Sequence, residues 1–202
     1  MKNIIIKAMV LVLFMIIGIG SVFAGVVTFF GPKQYTRDKG KPVTIEENFT
    51  IPLNYASSGF TMTLTNGSAQ GENRVSSAEI ELNGELIFSP ADFNQQVGLM
   101  ERTVELKANN LLSIKLNSKP GSYLVIHIHK FISPPQVTFT ANPEIIQYQQ
   151  FSTLSWNIIA ADTISIDNGI GNVGPVGSVQ VSPGVPTTTY TLTGVNLGGT
   201  TT

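Results

Sequence analysis

The stretch Ile132-Ser133-Pro134-Pro135-Gln136 constrains this chain more than any other. Two consecutive prolines fix φ twice and remove two amide donors, so no central strand can run through them. Apolar and polar residues alternate just before this stretch, and the alternation resumes after it in a different chemical style. Residues 25–132 carry ten basic and ten acidic residues, whereas 133–202 carry three acidic residues and no Lys or Arg. Residues 133–135 are therefore expected to be a hinge between two β-domains, 25–132 and 136–202.

The first 24 residues place Lys2 and Lys7 before an apolar run from Ala8 to Ile19, then Ser21-Val22-Phe23-Ala24 with small residues at Val22 and Ala24. That is the layout of a secretory signal peptide, with cleavage expected after Ala24. The apolar run is shorter than the roughly 20 residues that span a bilayer, so no membrane span is expected once the signal is removed. Dropping Lys2 and Lys7 takes the formal charge from -1 to -3, which leaves no basic patch to hold nucleic acid. The chain has no cysteine, which excludes disulfides, thiolate metal sites and a lipid-modified cysteine. An exported domain without disulfides must rely on its core, and 42% hydrophobic residues supply the material for one.

From Phe60 onward the pattern is of short alternating runs separated by turn signals, as in antiparallel all-β domains. Phe60, Met62 and Leu64 are expected inward, with Thr61, Thr63 and Thr65 outward, up to a stop at Asn66-Gly67. Ala78, Ile80 and Leu82 alternate with Glu79 and Glu81 before Asn83-Gly84, the dipeptide best suited to a two-residue hairpin. Ala91 to Leu99 has no period and is expected to be a crossing loop. Val104 and Leu106, then Leu112, Ile114 and Leu116, then Leu124, Ile126 and Ile128 are three further inward rows. Asn109-Asn110 and Lys119-Pro120-Gly121 are expected as the turns between them. Val43, Ile45, Phe49 and Ile51 share one parity but Glu47 interrupts it, which suits either one edge strand or two short ones.

Phe30-Gly31-Pro32-Lys33-Gln34-Tyr35-Thr36-Arg37, Asn73-Arg74-Val75-Ser76-Ser77-Ala78, Leu82-Asn83-Gly84, Asp92-Phe93-Asn94-Gln95 and Lys119-Pro120-Gly121-Ser122 give this region a resemblance. It is similar to an N-terminal β-sandwich module of exported bacterial multidomain proteins, in the style of carbohydrate-binding and galactose-binding-like jelly rolls. The resemblance implies architecture and an exported location more than an activity.

After the prolines, Val137, Phe139 and Ala141 form one inward row, Leu154, Trp156 and Ile158 a second, Ile164 and Ile166 a third, Val179 and Val181 a fourth, Tyr190 and Leu192 a fifth. Short turns at this spacing suit an immunoglobulin-like sandwich. Trp156, the sole tryptophan, is expected to plug its core. Ser152-Thr153-Leu154-Ser155-Trp156-Asn157, Ile166-Asp167-Asn168-Gly169-Ile170-Gly171 and Thr187-Thr188-Thr189-Tyr190-Thr191-Leu192-Thr193 resemble the bacterial immunoglobulin-like repeats of cell-surface and secreted proteins. Such a repeat needs a full last strand, yet only Thr200-Thr201-Thr202 follows Asn196-Leu197-Gly198-Gly199. Either the chain is a piece of a longer array or something else supplies that strand, and edge pairing with another chain near Thr200 is expected.

No motif carries chemistry. Gly169-Ile170-Gly171-Asn172-Val173-Gly174 fits the dinucleotide fingerprint G-x-G-x-x-G, but no helical pattern follows, so a glycine-rich turn is expected. His127 and His129 point to one face, as two metal ligands would. With no thiol and no third histidine, a solvated outer face is the simpler expectation. Asn66, Ser68 and Gln70 are the candidate metal ligands, in a faint likeness of a calcium loop whose side chains are neutral and whose twelfth position is Ser77. No carboxylate pair is placed across a cleft, and no nucleophile or phosphate-loop motif is present, so no enzyme, catalytic residue or cofactor is expected.

The expected fold is thus all-β, two antiparallel β-sandwiches, jelly-roll-like then immunoglobulin-like, after a cleaved signal peptide. The expected role is that of a secreted or cell-surface structural and interaction protein, adhering to a protein or glycan at the cell surface. The alternatives are a carbohydrate-binding module, for which Tyr55, Phe93 and Tyr123 are the candidate aromatic contacts, and an accessory fragment of a larger exported enzyme.

Overall fold

The structure is a computed structural model that describes residues 25–184 and 187–202. The expected signal peptide lies outside the described residues. These residues are all-β with antiparallel pairing, and they divide into two compact units, one of Val26–Phe131 and one containing Ile132–Thr202. No helix among them is long and apolar enough to cross a membrane.

Eight strands build the first unit: β1 (Gly25–Thr36), β2 (Thr44–Thr50), β3 (Ser57–Asn66), β4 (Ala78–Leu82), β5 (Glu85–Phe88), β6 (Leu99–Leu106), β7 (Asn109–Leu116) and β8 (Tyr123–Ile132). They form two four-stranded sheets, ordered β1-β8-β3-β6 and β2-β7-β4-β5. One hydrophobic core draws on both, with Phe60, Met62, Leu64, Leu124, Ile126 and Ile128 from the first and Ile80, Leu112, Ile114 and Phe88 from the second, each fully buried. The period-2 rows fold as their alternation dictates, apolar side chains inward and Thr, Glu and His outward. Asn83 and Gly84, at φ 55° and 84°, turn β4 into β5 with the positive-φ geometry of a type I′ hairpin.

Two charged residues break the inward rows, and both sit on edge strands. Glu47 of β2 pairs with Lys33 of β1 at 2.5 Å. Arg102 of β6, paired in register with the inward Met62, lies over the Phe88 ring and holds Asp92 at 2.9 Å. Charges on edge strands discourage pairing with another sheet. The segment 44–50 is one strand, not two short ones.

One strand of this unit has no counterpart in the sequence pattern, and one expected turn needs correction. Gly25–Thr36 is a twelve-residue strand that the sequence pattern leaves unassigned, because Gly31-Pro32 breaks its alternation. Asn109-Asn110 begins β7 and is not a turn. Asn110 is buried, its Oδ1 accepting from the Lys107 amide and from Asn83 Nδ2, its Nδ2 donating to the Lys107 carbonyl.

The second unit contains β9 (Gln136–Asn142), β10 (Ser152–Ile159), β11 (Thr163–Ile166), β12 (Gly171–Asn172), β13 (Val176–Val181), β14 (Leu192–Asn196) and β15 (Gly199–Thr201). Its sheets are ordered β13-β10-β9 and β12-β11-β14-β15. Trp156, Ile158, Ile164, Ile166 and Leu192 form one buried cluster, and Ala141, Ile146, Leu154 and Val181 another. Phe139, Ile170, Val179 and Tyr190 pack against both. Tyr190 lies just before β14 and not within a strand. The glycines of 169–174 form a turn and the short β12, with Gly169 and Gly171 at positive φ and no helix after them.

Pro134 and Pro135 are buried. The Ser133 carbonyl accepts from Asn196 Nδ2 at 2.9 Å, and the Pro135 carbonyl accepts from Thr201 Oγ1 at 2.7 Å. The expected hinge is therefore fastened along the β14–β15 hairpin of its own unit, because carbonyls that no strand partner can use are taken up by side chains of that hairpin. Thr200 pairs with Val195 on one side only, and β15 is an edge strand.

Candidate functional site

The outer face of the β1-β8-β3-β6 sheet gathers polar side chains in register. Along β8 the outward residues are Tyr123, Val125, His127 and His129, each partly exposed. Antiparallel pairing sets Thr63 beside His127 and Thr61 beside His129, and on the far side of β3 it sets Glu101 beside Thr63 and Thr103 beside Thr61. Thr63 Oγ1 donates to Glu101 Oε1 at 3.1 Å. From β1, Thr28 Oγ1 lies within hydrogen-bonding distance of His127 Nε2, at 2.9 Å. The two imidazoles are 4.8 Å apart between centroids and tilted by 31°. His129 Nδ1 is buried without a hydrogen-bond partner.

His127 is held below the usual histidine range, chiefly by burial and then by the neighbouring His129. The unfolded chain therefore protonates first, near pH 6.5, and below that value it binds a proton that the folded state refuses. Stability conferred by the neutral ring is complete above the unfolded pKa and is lost as pH falls through about 6.5 toward the lowered folded value. His127→Gln is expected to flatten this part of the profile, measured as urea midpoints between roughly pH 5 and pH 8. A wild-type midpoint that rises relative to the variant as pH falls would contradict the sign.

The three aromatic candidates do not converge. Phe93 lies in the core, 5% exposed, and offers no surface for a ligand. It follows a turn capped by Ser89 and Asp92, where the Ser89 amide donates to Asp92 Oδ2 at 2.7 Å, and from there it packs inward. Tyr55 is half-buried, 6.1 Å from Phe29, whose ring meets the core residue Phe60 edge-on. Only Tyr123 belongs to the outer face just described.

No family model matches the chain, and no curated protein matches it.

The candidate metal ligands do not converge either. Asn66 is fully buried. Its Nδ2 donates to the Val75 and Val97 carbonyls at 2.9 and 3.1 Å, and its Oδ1 accepts from the Val75 amide at 2.7 Å. Ser68 Oγ accepts from the Glu72 amide, and Gln70 is exposed. The side-chain oxygens of Asn66 and Ser68 thus serve backbone amides. Among the described residues, no three His, Asp or Glu side chains group to hold a metal ion.

A depression lined by Thr36, Arg37, Asp38, Val43, Ile45 and Leu116 has a volume of about 60 Å³. Small-molecule sites usually enclose roughly 300 Å³ or more, so this one admits little beyond water. Thr28 is, with Glu101 and Thr103, among the outer-face residues that sequence reasoning missed. The local signal for it was present, since Val27 and Phe29 share a parity opposite to Thr28, but it ends at Gly31-Pro32.

Proposed function

We propose that this protein is a secreted or cell-surface structural and interaction protein, in which a jelly-roll-like module adheres to its target while an immunoglobulin-like module acts as a spacer. The strand orders β1-β8-β3-β6 and β2-β7-β4-β5 around one common core support the first part. They are the orders that paired Greek keys produce when two sheets stack as a jelly roll. The seven short strands among the described residues of the second unit and its Trp-containing core support the spacer. The observation that carries the adhesive role is the outer face of the first sheet, a broad surface of Thr, His and Glu side chains in register. Such a surface suits contact with another surface better than capture of a small molecule.

Beads coated with the full chain are expected to adhere to bacterial envelopes, and an expressed chain should be reached by external protease. Confinement to the cytoplasm would defeat the export part of the reading, and beads that do not adhere would defeat the adhesive part. A glycan target is the second reading, favoured by Tyr123 lying on the same face as Thr61 and Thr63 of the neighbouring strand. On a glycan array, one sugar class is expected to bind and to be lost with Tyr123→Ala, whereas a blank array would exclude it.

A further inference from the structure

We propose that His127 and His129 form a surface site for a borderline divalent transition metal, with Cu(II) its tightest occupant. Residues two apart on a strand project from the same face, and here the rings come to 4.8 Å between centroids. His129 Nδ1 is buried with no hydrogen-bond partner, so its lone pair is uncommitted, and rotation of the ring would bring it to a cation. Thr28 Oγ1 stands 2.9 Å from His127 Nε2. When His127 gives Nδ1 to a cation, its Nε2–H donates to this hydroxyl. Metal-bound histidines commonly hold their second nitrogen in this way, which fixes tautomer and ring orientation.

The donor set selects the metal. Imidazoles without thiolate or carboxylate suit the divalent ions that bind nitrogen most strongly, with Cu(II) ahead of Ni(II) and Zn(II), and offer little to Mg(II) or Ca(II). No third His, Asp or Glu joins the pair among the described residues, so water or an outside donor fills the remaining positions. With two ligands from the protein the site is exchangeable, unlike the closed four-ligand sites that hold a fold together. The pair therefore does more than line a solvated face.

The chain has two histidines and no cysteine, so any imidazole signal reports on this pair alone. The test is titration of Cu(II) into the full chain in a non-chelating buffer, followed by calorimetry and electron paramagnetic resonance. A single saturable site with nitrogen hyperfine structure from both imidazoles is expected. His127→Gln and His129→Gln should each remove one nitrogen from the spectrum and weaken binding, and Thr28→Val should weaken it by roughly tenfold while both nitrogens stay. Unchanged affinity in the double glutamine variant, a spectrum without imidazole nitrogen, or the absence of saturable binding would overturn the site. Should a glutamine variant fail to fold, carbethoxylation of the wild-type chain decides. Cu(II) is expected to protect both imidazoles, and unprotected modification counts against the site.

Discussion

Replacing Trp156 with alanine is expected to cost the second unit about 3–5 kcal/mol, the range for removing a large aromatic side chain from a packed core. The indole is 8% exposed and lies among Ile158, Ile164, Ile166 and Leu192. Its Nε1 donates to the Gly174 carbonyl at 2.9 Å. Across the ladder, Trp156 is paired with Gly177, and a Cβ at that glycine would come within 2.6 Å of the indole Cζ2. The glycine leaves the space and the tryptophan fills it, so alanine at 156 would leave a cavity. Urea denaturation followed by circular dichroism, with amide exchange at Leu154 and Ile158, measures the effect. A loss under about 0.5 kcal/mol, within the reach of an ordinary surface substitution, would show that the indole is not what holds this core. Trp156→Phe keeps most of the apolar volume and gives up the hydrogen bond, so its cost should be smaller.

Asn66→Ala is expected to cost the first unit about 3 kcal/mol or more, because it leaves buried backbone groups unsatisfied, each worth about 1–3 kcal/mol. The Asn66 carboxamide is a clamp, tying the end of β3 to Val75 and Val97 with three hydrogen bonds and no exposure. Asn66→Asp preserves the acceptor for the Val75 amide but turns a carboxylate toward two carbonyl oxygens, so it should be at least as damaging. Equilibrium unfolding of both variants decides the matter. Wild-type stability in Asn66→Ala would mean that the loop from Gly67 to Arg74 holds itself without the clamp.

The clamp also shows where reading by residue type stops. Asn66-Gly67 is a good turn signal, and β3 does end there. Yet the side chain that looked available as an oxygen ligand is spent on backbone from two other segments of the chain. The inward rows of β3, β4, β7 and β8 were legible because alternation is a local property: one face of a strand must be apolar whichever strands lie beside it. The Asn83-Gly84 hairpin was legible for the same reason, since its positive φ angles depend on two adjacent residues.

What the sequence by itself determined is the all-β character of the chain, the facing of most strands and the positions of tight turns such as Asn83-Gly84. Tertiary structure decided which strands became neighbours, and partner identity is written in no local pattern. It therefore decided that Glu47 breaks the inward row of an edge strand and that the exposed Arg102 covers the Phe88 ring, that Phe93 is core and not a binding platform, and that side chains of the β14–β15 hairpin hold the segment around the two prolines. It also decided that Thr28 meets His127 across 99 residues of chain. A hydrogen bond over that separation exists only once β1 has taken its place beside β8.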